Sequence, residues 1–320
     1  MKAGVIGCGR WGSFIAWYLE QKGIETVLYG RMESRRFIQL QATGENDLVK
    51  FSGRVGFSSD LEALVKDCDI LFISIATSNF RKLAYDLNQC SGIEGKRIVL
   101  CMKGLEEKTG LRLSEIARGE IMQRVRIAVW VGPGHVQDFV AGRPNCMVID
   151  SEDKEFKAQL VKMLSGELIR FYYGTDLLGN EVGAAAKNVI GIAAGLLDGL
   201  GKESLKGALI SRGSREIGRL IAAMGGNELT AYGLAHLGDY AATVFSPYSH
   251  NRMFGEKFAK GEPYGELAEG VYTAKALMVL SAQYGEELPI CGGVYDAIYN
   301  HCPVEEVIAA MFSRLLKNEF

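Results

Sequence analysis

Short runs of β-branched and apolar residues recur through the first half of the chain, at 3–6, 26–29, 70–75, 97–102, 127–131, 146–150 and 169–173, separated by longer stretches of mixed polarity. That alternation is the βαβ rhythm of a wound parallel sheet. Beyond Tyr173-Gly174-Thr175-Asp176 the strand signals stop, and apolar residues return at helical spacing through 184–200, 208–224, 268–284 and 304–316. The pattern therefore predicts an α/β region over 1–178 and an all-helical region over 179–320, joined near a glycine-containing turn.

Composition narrows the possibilities. With 320 residues, 48% of them hydrophobic and 23% charged, the chain can bury a core in each region. Thirty-six Lys and Arg against 38 Asp and Glu leave a net charge of -2, so no positive field is available for nucleic acid or an anionic membrane. The longest apolar stretch, 182–197, is broken by Lys187 and Asn188 and is shorter than the roughly 20 residues that span a bilayer. The start runs straight into a strand without a secretory apolar region and cleavage site, so nothing suggests export. Seven scattered cysteines without C-x-x-C spacing support neither a disulfide framework nor a metal site, and a reducing cytoplasm fits them.

The first chemical signal is Gly7-Cys8-Gly9-Arg10-Trp11-Gly12, a G-x-G-x-x-G between the first strand and a helical segment. In that context Gly7 permits the sharp turn, Gly9 lets a pyrophosphate approach, Gly12 allows close packing, and the helix N-terminus faces the phosphates. The α/β region is thus read as a Rossmann-type dinucleotide-binding domain. At the end of the second strand no Asp or Glu stands ready for the ribose hydroxyls. Arg31 is there instead, with Arg35 and Arg36 a turn beyond; a guanidinium can fork onto a 2′-phosphate, which favours NADP while leaving NAD possible.

Lys103 follows the strand at 97–102 and could reach a bound substrate, and Gly132-Pro133-Gly134-His135 could turn backbone N–H groups toward an anion. Lys187 and Asn188 lie among residues that otherwise read as buried. An ammonium there needs a partner or a lowered pKa, conditions that make lysine a proton donor near neutrality. Asp239, downstream in His236-Leu237-Gly238-Asp239, offers the carboxylate, and Ser249-His250-Asn251-Arg252 offers a polar cluster for a phosphate.

Together with Lys103-Gly104-Leu105-Glu106, Gly132-Pro133, Ala186-Lys187-Asn188-Val189, Asp198-Gly199-Leu200-Gly201, Leu237-Gly238-Asp239, Asn251-Arg252 with Phe254-Gly255, and Glu269-Gly270-Val271 with Thr273-Ala274-Lys275, the glycine turn resembles the bacterial-type NAD(P)-dependent glycerol-3-phosphate dehydrogenase family over nearly the whole chain. The resemblance implies reversible reduction of dihydroxyacetone phosphate to sn-glycerol 3-phosphate, commonly by a homodimer. It places Lys187 at the catalytic lysine and Lys103 and Asp239 at active-site positions. Asn188 and Thr243 fall at polar substrate contacts, and Trp11, Arg31, Leu267 and Glu269 at cofactor positions.

Two departures fall where that family holds its substrate. The family's Gly-Pro-Ser is here Gly132-Pro133-Gly134, which loses a hydroxyl, and its Ser-Arg-Asn is here Ser249-His250-Asn251, which exchanges a fixed cation for a titratable ring. His135 could compensate, or the pocket could take a less charged three-carbon ketone. The alternatives are therefore a sister dehydrogenase for another short hydroxylated substrate, and a non-catalytic NADPH-binding sensor. Retention of Lys103, Lys187 and Asp239 argues against the sensor.

Overall fold

The computed structural model describes residues 1–315 and 318, so the last position of the helix expected over 304–316 lies outside the described residues. The chain divides into two compact units, one formed by Met1–Lys103 with Leu111–Leu177, the other by Gly104–Gly110 with Leu178–Phe320.

The first unit is an eight-stranded sheet. Its strands are β1 (Lys2–Ile6), β2 (Glu25–Tyr29), β3 (Val55–Ser58), β4 (Ile70–Ile73), β5 (Arg97–Leu100), β6 (Arg126–Val131), β7 (Asn145–Asp150) and β8 (Ile169–Tyr173), in the spatial order β3-β2-β1-β4-β5-β6-β7-β8. The strand order reverses between β1 and β4, and it is outside the carboxyl ends of strands at such a point that wound sheets bind ligands. Helices α1 (Arg10–Gln21), α2 (Arg35–Thr43), α3 (Leu61–Asp67), α4 (Phe80–Gln89), α5 (Leu113–Glu120), α6 (Val136–Val140) and α7 (Lys154–Leu164) connect the strands. β1, β4 and β5 are apolar and almost wholly buried, as a sheet covered on both faces demands.

The structure adds two features to the expected sheet. β3 is an edge strand whose four residues, Val-Gly-Phe-Ser, are too short and mixed to stand out as an apolar run. The loop before it is held by buried Glu20, whose carboxylate accepts from Ser52 N, Ser52 Oγ and Arg54 N at 3.0, 2.7 and 3.2 Å. β7 runs antiparallel to β6, because the brief α6 between them does not carry the chain back along the sheet before it pairs.

The second unit contains α8 (Leu177–Gly199), α9 (Lys206–Ala223), α10 (Asp239–Val244), α11 (His250–Ala259), α12 (Glu269–Tyr284), α13 (Pro289–Tyr299) and α14 (Val304–Phe312). α8 is its axis. Gly191, Gly195 and Gly199 recur every four residues and so share one face. A Cβ on Gly195 would lie 2.0 Å from the Arg252 carbonyl oxygen, and one on Gly255 of α11 would lie 2.2 Å from that of Ile192. The helices meet backbone to backbone, which sets the positions of Asn188 and Asn251. From the middle of α9, buried Glu216 accepts from Ile290 N and Cys291 N at 2.8 and 2.9 Å and caps α13.

Because that contact leaves no room for a methyl group, Gly195→Ala is expected to cost about 1–3 kcal/mol and lower the thermal midpoint by several degrees, whereas Gly207→Ala, with open space around it, leaves the midpoint unchanged or raises it. Thermal unfolding of the two variants checks this.

Candidate functional site

In the first unit the glycine turn has the geometry its sequence promises. Gly7 has φ +116°, and a Cβ there would lie 2.1 Å from the Ser74 carbonyl oxygen; a Cβ on Gly12 would lie 1.9 Å from that of Gly7. Those two glycines are required by protein packing. Gly9 has no heavy atom within 4 Å of where its Cβ would be, so its side of the turn is open. It is also the N-cap of α1 and supplies no side-chain cap to the first helical turn. Beside it the Trp11 indole N–H is buried without a hydrogen-bond partner among the described residues. An open glycine, an uncapped helix N-terminus and an unused indole donor fit the pyrophosphate of a dinucleotide.

β2 ends at Tyr29, and the chain turns through Gly30, where a Cβ would lie 2.3 Å from the Phe37 ring. Arg31, Arg35 and Arg36 are exposed beyond it. Ser34 caps α2 by accepting from Phe37 N, and its hydroxyl lies 3.5 Å from Cys8 Sγ, tying this loop to the glycine turn. No acidic residue occupies the first turn of α2. Three guanidinium groups near a helix N-terminus, against the single carboxylate of Glu33, leave a local excess of positive charge, favourable to an anion.

Lys103, three residues beyond β5, donates from Nζ to the Gly132 carbonyl oxygen at the end of β6, 2.7 Å away, and lies 5.9 Å from the Trp11 ring centroid. Gly134 has φ +151°, and a Cβ there would lie 2.2 Å from the Phe139 ring. A serine has no room in this backbone. Gly134 contributes only main-chain groups, and the lost hydroxyl follows from the packing of Phe139.

In the second unit, Lys187 Nζ lies 3.3 Å from Asp239 Oδ1, with side-chain exposures of 12% and 4%, and donates to Thr243 Oγ1 at 3.5 Å. Thr243 in turn donates to the Asp239 carbonyl oxygen at 2.8 Å. One turn of α10 thus presents both the carboxylate and the hydroxyl to the lysine. Asn188 Oδ1 accepts from Asn251 Nδ2 at 2.9 Å, and Asn251 Oδ1 accepts from Gly270 N at 2.9 Å. Asn251 therefore ties α8 and α11 to the start of α12, which Glu269 opens; Leu267 just before it is half exposed.

Ser249 caps α11 by accepting from Arg252 N. His250 Nδ1 shares a 2.6 Å hydrogen bond with the Tyr264 hydroxyl, so any anion would meet the ring at its Nε2 edge. Arg252 is committed to Asp198 at 2.6 Å and Glu256 at 3.1 Å, carboxylates that it shares with Lys206 and Lys260. Sequence reasoning missed Tyr264, which stands in a glycine- and proline-containing loop with no periodicity or motif to mark it.

A wound sheet with a dinucleotide turn at its switch point, followed by a helical unit with a buried lysine–carboxylate pair, is the make-up of a nicotinamide-dependent dehydrogenase. Two family models match: the N-terminus of NAD-dependent glycerol-3-phosphate dehydrogenase over residues 2–157 and its C-terminus over 176–309. The chain is 31% identical over 332 residues to a protein of Chlorobium luteolum named glycerol-3-phosphate dehydrogenase [NAD(P)+], with 100% of this chain and 99% of that one covered. A Moorella thermoacetica protein of the same name is 34% identical, with 97% and 95% covered. The crystal structure of glycerol-3-phosphate dehydrogenase from Coxiella burnetii superposes with a TM-score of 0.91 at 28% identity, covering 98% of this chain and 99% of that one. The chain belongs to the NAD-dependent glycerol-3-phosphate dehydrogenase family. It is an oxidoreductase of the CH–OH group that works with a nicotinamide cofactor, and the family and fold class expected from the sequence hold. Among the described residues no helix is long and apolar enough to cross a membrane.

Proposed function

We propose that the chain interconverts dihydroxyacetone phosphate and sn-glycerol 3-phosphate, preferring NADPH, with Lys187 as proton donor and the remaining residues in the roles the resemblance implies. The observation that carries the reading is the Lys187–Asp239 pair. An ammonium with so little exposure is costly unless a carboxylate faces it, and here one does, 3.3 Å away. In the reducing direction the ketone carbon receives hydride, the chemistry the bound nicotinamide supplies, while Lys187 passes a proton to the carbonyl oxygen. Asp239 holds the ammonium in place and Thr243 fixes its direction. Asn188 stands next to the lysine as a polar substrate contact, and Ser249, His250 and Asn251 form the anion end. Lys103, with Gly132 and Gly134, is read as a second cation that polarises the carbonyl or steadies the phosphate.

Residues 1–178 are read as the cofactor-binding domain and 179–320 as the substrate and catalytic domain. Gly7, Gly9, Arg10, Trp11 and Gly12 would hold the pyrophosphate, Arg31 the 2′-phosphate, and Leu267 and Glu269 further parts of the cofactor. The arginine-rich end of β2 supports NADP over NAD. Seven unpaired cysteines and the balanced charge support a cytoplasmic protein, and the family resemblance supports a homodimer. A sister dehydrogenase for an unphosphorylated ketone is the second reading, favoured by the engagement of His250 with Tyr264 and by the commitment of Arg252 to carboxylates.

Lys187→Ala should lower kcat by about 10²- to 10⁴-fold while leaving cofactor affinity within about twofold, because the glycine turn lies in the other unit; stopped-flow turnover and fluorescence titration measure the two. Arg31→Asp should weaken NADPH by about ten- to a hundredfold and NADH far less, the loss of a charge-assisted contact worth roughly 1.5–3 kcal/mol. Equal losses would remove the 2′-phosphate role. With His250 as the anion's cation, His250→Arg should lower KM for dihydroxyacetone phosphate severalfold, because a guanidinium can fork onto two phosphate oxygens. Unphosphorylated dihydroxyacetone is the control: equal handling of both ketones, with no gain from the arginine, would favour the second reading.

A further inference from the structure

Between the end of α9 and α10 the chain forms a wide turn, Leu234–Gly238, closed by a hydrogen bond from Gly238 N to the Gly233 carbonyl oxygen at 3.0 Å. This five-residue step is a π-turn, a costly departure from α geometry that persists where a site requires it. Its central side chain, His236, is completely buried. The ring packs edge-on to the Tyr240 ring at 4.9 Å, and Nδ1 lies 2.8 Å from the Gly183 carbonyl oxygen. A carbonyl only accepts, so Nδ1 carries the proton. Contact is possible because position 183 is glycine: a Cβ there would lie 2.9 Å from His236 Cβ.

Both ends of this contact lead to the lysine–carboxylate pair. Gly183 lies four residues before Lys187, and in a regular helix its carbonyl is the one that accepts the Lys187 backbone N–H. Asp239 follows the turn immediately and opens α10. Tyr240, next to it, is anchored at its hydroxyl to the Ile210 carbonyl and to Ser214 Oγ at 3.2 Å. The π-turn therefore sets how far Asp239 stands from α8, and His236 is the pin between them.

Resting on Lys187 as the proton donor, we propose that His236 is a positioning residue for that reaction, holding the Asp239 turn against α8 through its bond to Gly183 so that carboxylate and ammonium keep their spacing. Burial pushes the imidazole down to about 4, opposed by the Gly183 carbonyl, the Asp239 charge and the Gly213 backbone of α9 and assisted by Lys187, so the ring is a neutral donor throughout the working pH range.

Three substitutions separate the donor from the volume: His236→Phe keeps the ring and loses the N–H, His236→Asn keeps a donor near the Nδ1 position, and His236→Gln moves it toward Nε2. Steady-state kinetics of the full-length enzyme with NADPH and dihydroxyacetone phosphate should show kcat about 10²-fold lower in His236→Phe, with the KM for NADPH changed by less than about twofold. His236→Asn should recover about tenfold or more of that loss and His236→Gln should not. A His236→Phe enzyme within about threefold of the wild-type kcat, or Asn no better than Gln at matched thermal midpoints, overturns the proposal. Should the Phe variant fail to fold, the Asn-against-Gln comparison decides alone. Lys187→Ala is measured alongside: its loss of turnover with a normal His236→Phe enzyme sinks only the positioning role, whereas retained turnover sinks the proton donor and the positioning role together.

Discussion

An ammonium group inside the long, largely buried axis helix of the second unit is the constraint around which that unit is organised. Every neighbour of Lys187 from Val182 to Leu197 except Asn188 is glycine or an apolar residue, so without a fixed countercharge the ammonium would destabilise the helix. Asp239 supplies that charge only if α10 starts at the right distance, which the π-turn arranges. Thr243 then bonds back to the Asp239 backbone, and Asn188 is oriented by Asn251, itself fastened to the start of α12. Helix crossings made without intervening side chains, at Gly195 and Gly255, keep these parts in register.

Much of this was legible along the chain because its signals are local. A strand buried on both faces writes itself as a run of apolar residues, and a phosphate turn as spaced glycines; β1, β4 and the turn at Gly7 were visible for these reasons. β3 was not, since an edge strand held by Glu20 from another element has no pattern of its own. The antiparallel entry of β7 was hidden as well, because strand direction depends on where a connection emerges, and a short helix such as α6 carries no mark of its heading.

The candidate residues divide in the same way. Lys187 stood out as a charge in an apolar run, and the structure brings it to the carboxylate proposed from sequence. The engagement of His250 by Tyr264 was invisible, as a pairing of two residues in unlike segments. In sequence Gly134 is a missing hydroxyl, a matter of ligand chemistry; the Phe139 ring makes it a matter of packing, since the absent side chain has nowhere to go.

The excursion of Gly104–Gly110 into the second unit changes what counts as a part of this molecule. Glu107 pairs with Lys275 at 3.0 Å, and Gly110, at φ +72°, tucks against Leu280, so this short stretch of the earlier sequence is built onto α12. The chain passes from one unit to the other at Lys103, again at Gly110, and again at Leu177. No single scission there can release either unit intact: a fragment beginning near residue 178 would present bare apolar surface where Leu105 belongs in its core. Modularity here is spatial without being linear, and an exchange of halves between relatives would have to carry a loop from the first half along with the second.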